Sequence, residues 1–298
     1  MRRANGTDRN TWLLLLPTVA LLGVLFVGGL AVGVAQSLGW LSLVPVAAPS
    51  LAYYREALGG RDFARSLGLT LYIAAAATAL AAALSLGLAL LLRRAFRGVW
   101  ALRLLVQLPL PVPHLVAAVG VALLLAQSGI LARLLYAAGL LADQADFPPL
   151  VNDRGAVAVI LTYVWKEVPF ITLVTIAALR GAGTELEVVA RNLGATPWRA
   201  FRYVTLPLVG PAVLGAATIV FAYTAGAFEV PLLLGQSYPR VLAVEAYARY
   251  QETDLAARPG ALALNTVLAA LTALAAPPYI WLLRRAGSLG RAEASRER

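Results

Sequence analysis

The sequence contains no cysteine, one histidine and one lysine, and only 13% of its 298 residues are charged. Without cysteine there is no disulfide framework, no thiolate nucleophile and no cysteine metal site. A single histidine, His114, does not furnish a histidine-rich metal centre. The single lysine, Lys166, lies in no G-x-x-x-x-G-K-[ST] loop, so the chain has no P-loop with which to hydrolyse a nucleotide. G-x-S-x-G and H-E-x-x-H are also missing, which ranks membrane hydrolases low. No enzymatic activity, metal or cofactor is therefore expected. The scarcity of charge is informative in itself, since soluble chains average about 25% charged residues.

What remains is apolar. Hydrophobic residues make up 60% of the chain, and the mean hydropathy is +0.75. The pattern predicts an all-α, polytopic membrane protein with six transmembrane helices, at about 11–36, 66–92, 104–126, 156–179, 209–234 and 261–283, forming one transmembrane domain over 1–298. Each segment is long enough to cross a hydrocarbon core about 30 Å thick at about 1.5 Å per residue. The first is too long for a signal-peptide core and lacks a convincing cleavage site. An apolar run at 130–141 is too short to span and is expected to lie laterally at the membrane surface.

The net charge of +10 could suggest nucleic acid as a partner. Its distribution argues for membrane orientation instead. Sixteen arginines fall in the N-terminal tail, the second and fourth loops and the C-terminal tail, and eight fall on the opposite side. Excess arginine marks cytoplasmic loops, so both termini are expected inside. The eight outer arginines are matched by eight outer acids, so the outer side carries no net formal charge.

The fourth loop, 180–207, stands out. In the stretch VVARNLGATPWRAFRYVTLPL (188–208), Leu186, Val189, Ala190 and Leu193 form a stripe at helical spacing. Thr184 and Glu187 have the spacing of a capping box. Gly194 suits a helix stop, and Thr196 and Pro197 suit a restart. Trp198, Phe201 and Thr205 share a face, and Pro207 is expected to end the second helix. Two readings fit. The pair could lie on lipid with Trp198 at headgroup depth, or its rigid corner could enter a groove on a cytoplasmic partner.

This stretch resembles the loop signature of the membrane subunits of binding-protein-dependent ABC importers: Glu-Ala-Ala, three residues, Gly, about nine residues, Ile or Val, one residue, Leu-Pro. Gly194, Val204, Leu206 and Pro207 are in register, and Ala195 and Phe201 match common choices. The triplet falls on Val188, Val189 and Ala190, so Val188 replaces the family's Glu, with Glu187 one residue away. The resemblance implies a type I importer fold in a bacterial cytoplasmic membrane. It implies a coupling helix that docks on a separate ATPase subunit through Glu187, Gly194, Ala195, Pro197, Trp198, Phe201 and Pro207. It further implies a second permease subunit, identical or homologous, and a periplasmic or lipid-anchored solute-binding protein, all among membrane lipid. The segments YVWKEVPF (163–170) and GAFEVPLLLG (226–235) look most like the branch that carries polyamines, iron or phosphonates.

Ionisable groups inside spans are costly and mark pathways or structural pairs. Lys166 and Glu167 lie about ten residues into the fourth span, pointing about 100° apart. Lys166 reads as structural. Glu167 and Glu229, near the outer end of the fifth span, are pathway candidates or interhelical pairs. His114 follows LPLPVP, whose alternating prolines 109, 111 and 113 break the third span, and it is expected to be hydrogen-bonded or to join the pathway. A self-contained secondary transporter is the alternative from another class. Such proteins carry internal repeats and midplane charges, and no repeat is visible between the two halves.

Overall fold

The computed structural model describes residues 5–40, 49–94, 96–183, 185–274 and 277, in side-chain detail except at 5–10 and 182. Thr184 of the expected capping box, the last part of the sixth span and the C-terminal arginines lie outside the described residues.

Every element among the described residues is helical. α1 (Asn5–Leu22) continues through a π-helical turn, Gly23–Val27, into α2 (Gly28–Ser37), and α3 (Ala52–Leu58) is short. α4 (Arg61–Leu92) is one unbroken span. α5 (Val99–Gln107), α6 (His114–Leu125) and α7 (Ile130–Ala137) follow, then α8 (Val157–Ala182). α9 (Glu185–Asn192) and α10 (Pro197–Ala200) form the corner, and a π turn, Phe201–Thr205, leads into α11 (Leu206–Gly226). α12 (Glu229–Leu234), α13 (Leu242–Tyr250) and α14 (Arg258–Ala273) complete the described chain. Six stretches are long and apolar enough to cross a membrane: Thr11–Ser37, Arg61–Leu92, His114–Ala137, Val157–Gly181, Pro197–Gly226 and Leu255–Ala273.

Two expected boundaries are corrected. The third span is not one helix over 104–126. Prolines 109, 111 and 113 leave no run of amide donors for a helical ladder, so α5 stops at Gln107 and α6 starts at His114. The apolar run at 130 does form its own helix, α7. By length and hydropathy it belongs to the same candidate span as α6, interrupted where Ala126 turns extended. The fifth span, in turn, does not begin at 209. Pro207 follows directly on a π turn, whose altered backbone pairing accommodates a residue without an amide, and helix runs from Pro197 to Gly226 without a stop. That helix ends before Glu229, because Ala227 is extended; Glu229 opens α12 instead of lying inside the span.

The chain divides into two compact units, one of residues 1–64 and 245–267, the other of 65–244 and 268–298. In the first, the apolar window of Thr11–Ser37 buries none of its residues in the chain. An apolar helix face left uncovered by the described residues is suited to lipid or a second subunit. Its end is fixed where Ser37 Oγ donates to the Val34 carbonyl and meets the Tyr54 hydroxyl at 2.6 Å.

In the second unit α8 is the central span. It packs against α11 and α6, and α12 packs on α6. One core gathers Val159, Tyr163, Ile73, Val230 and Leu234, and the other gathers Ile171, Val209, Val213 and Val220. The buried face of α4 is mostly small, with Ala74, Ala77, Ala81 and Ala89, which lets backbones approach in lipid where hydrophobic drive is absent. Ser85 Oγ uses that proximity to donate to the Val168 carbonyl at 2.9 Å.

Candidate functional site

Two sites can be built from the residues upward. The first is the corner between α8 and α11. Gly183, at φ +67°, turns the chain out of α8. α9 then ends in a complete Schellman motif: the Ala195 amide donates to Ala190 O at 3.0 Å and the Gly194 amide to Arg191 O at 2.9 Å, with Gly194 at φ +88°. Only glycine holds that backbone cheaply. The restart is as expected: Thr196 Oγ1 accepts from the Arg199 amide at 3.3 Å, and Pro197 takes the first helical position.

The corner presents an apolar surface that nothing in the described chain covers. Leu193 is 83% and Trp198 67% exposed, and Leu186, Val188 and Val189 are also exposed. Trp198 and Phe201 hold each other with ring centroids 5.5 Å apart. Glu187 behaves differently from the other residues expected to dock, because it faces inward. It takes a bidentate pair from Arg93 at 2.7 and 3.1 Å and accepts from the Thr205 hydroxyl. The carboxylate thus ties α9 to the end of α4 and to the π turn below α11. The Arg93 hydrogen bonds hold its pKa below the ordinary carboxylate value; Thr205 and Arg191 add to this and partial burial opposes it. Arg93 and Thr205 were not legible as its partners, since no local spacing relates residues so far apart in sequence.

The second site lies among α6, α8, α11 and α12. Lys166 is 6% exposed, and its ammonium donates to the carbonyls of Pro109 and Val112. A break within the membrane needs such a donor, because carbonyls without partners in hydrocarbon are costly. Glu167, one position on, turns to the other side, and His114 Nε2 lies 3.1 Å from its Oε1. The His114 ring stacks obliquely on Tyr223 at 5.0 Å and faces Tyr163 at 6.4 Å. Glu229 opens α12, which packs on α6 and α8. The fold therefore places all three pathway candidates on helices packed together, with His114 beside a pair of tyrosines that the sequence reading did not single out. The Tyr163 hydroxyl is buried and has no hydrogen-bond partner among the described residues. No group of three or more His, Asp or Glu side chains suited to a metal occurs among the described residues.

The described residues are helical, with six helices apolar enough to span a membrane and a glycine-turned corner before the fifth. The chain belongs to the family described as binding-protein-dependent transport system inner membrane component, which matches residues 10–288. It is thus a multi-pass inner-membrane protein. It is 36% identical over 173 residues to a probable molybdenum ABC transporter permease protein of Haloferax volcanii, a match covering 58% of this chain and 59% of that one. It is 32% identical over 214 residues to the molybdenum transport system permease protein ModB of Mycobacterium tuberculosis, covering 70% and 76%. The putrescine transport system permease protein PotI of Escherichia coli is 30% identical over 174 residues, covering 58% and 56%. Among solved structures, a bacterial ABC transporter involved in import of the acidic polysaccharide alginate contains a chain of the same fold, with a TM-score of 0.72 over 95% of this chain and 96% of that one at 19% identity. The relatives carry the names of different cargoes, molybdenum and putrescine among them, and single out no one branch.

Proposed function

We propose that residues 1–298 form a single permease domain of an ATP-driven ABC importer, with both termini and the 180–207 loop in the cytoplasm. The observation that carries this reading is the corner at Gly194, an exposed apolar knob on a rigid base. A knob of that kind suits a groove on a separate ATPase subunit through Ala195, Pro197, Trp198 and Phe201, with Glu187 and Pro207 setting its base. A second permease subunit and a solute-binding protein complete the assembly. Cysteines placed at Arg97 or Arg199 should resist a membrane-impermeant reagent added to intact cells, and cysteines at Asp146 or Arg249 should react; the reverse labelling would sink the orientation.

His114, Glu167 and Glu229 are the pathway groups in this reading. Lys166 is committed to backbone carbonyls, so the side chains left to meet a cargo are two carboxylates, an imidazole and two phenols. That inventory favours a cationic cargo of the putrescine or iron kind over an oxyanion such as a phosphonate. The test is uptake by proteoliposomes holding the permease, its ATPase and its binding protein. Uptake should require ATP and the binding protein, and putrescine or iron should compete where molybdate does not. Glu229→Gln should lower uptake about tenfold, a change of about 1.4 kcal/mol, with the complex intact on a sizing column. Uptake by the isolated chain driven by an ion gradient would favour a secondary transporter instead. Unchanged uptake in Glu229→Gln would remove that residue from the pathway.

A further inference from the structure

Where α4 and α8 end and α9 begins, a cavity of about 790 Å³ is lined by five arginines, Arg93, Arg94, Arg103, Arg180 and Arg191, against one carboxylate, Glu187. Two of the five are engaged. Arg93 pairs with Glu187, and Arg103 Nη2 donates at 3.0 Å to the carbonyl of Leu92, the last residue of α4. Arg94, Arg180 and Arg191 have no hydrogen-bond partner among the described residues. Five arginines lining one space against a single carboxylate leave a net positive charge there, which an anion would offset. Guanidinium geometry suits a phosphate, which it can grip with two parallel bonds.

A second cavity of about 350 Å³ shares Leu92, Arg103, Ile176 and Arg180 with the first and extends between α5 and α8 past Val106, Leu173 and Ala177. A basic chamber that continues into a slot between two helices, aliphatic along Val106, Leu173 and Ala177 and also lined by Gln107 and Thr172, has the two-part chemistry of a lipid. A free oxyanion would use only the chamber, and an acidic protein segment would have no use for the slot. We infer that the two cavities together hold one anionic phospholipid, its phosphate among Arg94, Arg180 and Arg191 and an acyl chain between α5 and α8. This rests on the orientation proposed above, which sets the chamber at the cytoplasmic surface, where anionic lipids attract basic side chains. Arg93 and Glu187 form part of the chamber wall, so a bound headgroup would steady the anchor of α9 and make coupling sensitive to lipid composition.

Native mass spectrometry of the purified complex, titrated with phosphatidylglycerol or with phosphatidylcholine, reads this site whichever way the chain crosses the membrane. Phosphatidylglycerol should be retained in preference. Arg94→Gln combined with Arg191→Gln should weaken its retention about twenty-five-fold, or fivefold per arginine. The corresponding pair of Arg→Lys changes should keep most of it, which separates loss of charge from loss of fold. Ala177→Trp should weaken retention by filling the slot with the charge untouched. Equal retention of the two lipids, or unchanged retention in the double Gln variant, would overturn the proposal. So would displacement by inorganic phosphate with no effect of Ala177→Trp, which would mark a free-anion site. Loss of the ATPase subunit in place of the lipid would assign the arginines to a protein contact and overturn it as well. Cysteine labelling opposite to that expected, with lipid retention intact, would sink only the orientation.

Discussion

Replacing Gly194 by valine is expected to abolish most of the ATPase stimulation that a loaded binding protein gives the complex, about a tenfold loss, with transport falling alongside it. Gly194 sits at φ +88°, and a β-branched residue there is a backbone outlier whose strain costs about 1–3 kcal/mol. An ideal Cβ at Gly194 meets nothing within 4 Å, so the penalty is purely one of backbone conformation and not of crowding. That fixes a rank order. Asparagine, which tolerates the left-handed region, should be mildest, alanine intermediate and valine worst. Trp198→Ala should fall among the mild variants, because it removes docking area and leaves the turn. The corner lies outside the apolar stretches that drive insertion, so membrane insertion should be normal throughout. Full stimulated activity in Gly194→Val would mean that the corner does not transmit the stroke, and a helix pair resting on lipid would replace it.

The second large effect is expected at Glu187. Glu187→Gln removes the charge-assisted pair with Arg93 and weakens the contact with Thr205. Hydrogen bonds to charged groups contribute about 1.5–3 kcal/mol, and the pair is only partly exposed, at 26% for Arg93 and 13% for Glu187. Hydrogen exchange in 185–194 should therefore speed up by roughly one to two orders of magnitude, with little change in the spans. A double-mutant cycle with Arg93→Ala isolates the pair, since either single change should cost nearly as much as both. The pH dependence has a definite sign. Because the folded pKa of Glu187 lies below its unfolded value of about 4.3, its contribution is complete above that value and is lost as pH falls through the folded pKa. Wild-type exchange should be flat from neutral pH down to about 5 and rise only in more acid solution, after correction for the intrinsic chemistry. The Gln variant should lack that rise. An acid response equal in both would assign it to another group.

The sequence by itself determined the class, the number of apolar segments and the turn chemistry at the corner. These features are local: an apolar run crosses lipid because its own backbone satisfies its own hydrogen bonds, and a Gly-Ala-Thr-Pro turn dictates its own dihedrals. Local rules also misled where two of them competed. Pro207 reads as a stop, yet the π turn before it absorbs the missing donor and the helix runs on. Glu229 reads as part of a span until extended Ala227 separates it from α11. Only the tertiary structure decided the partners of the polar side chains. Arg93 meets Glu187, Lys166 meets the carbonyls freed by a proline-broken stretch, and His114 meets Glu167 across separations of more than fifty residues. A charge buried among apolar helices must find a partner somewhere, so the sequence announces that a partner exists. Which residue it is depends on how α4, α6 and α8 pack, and that follows from side-chain contacts between segments distant in sequence.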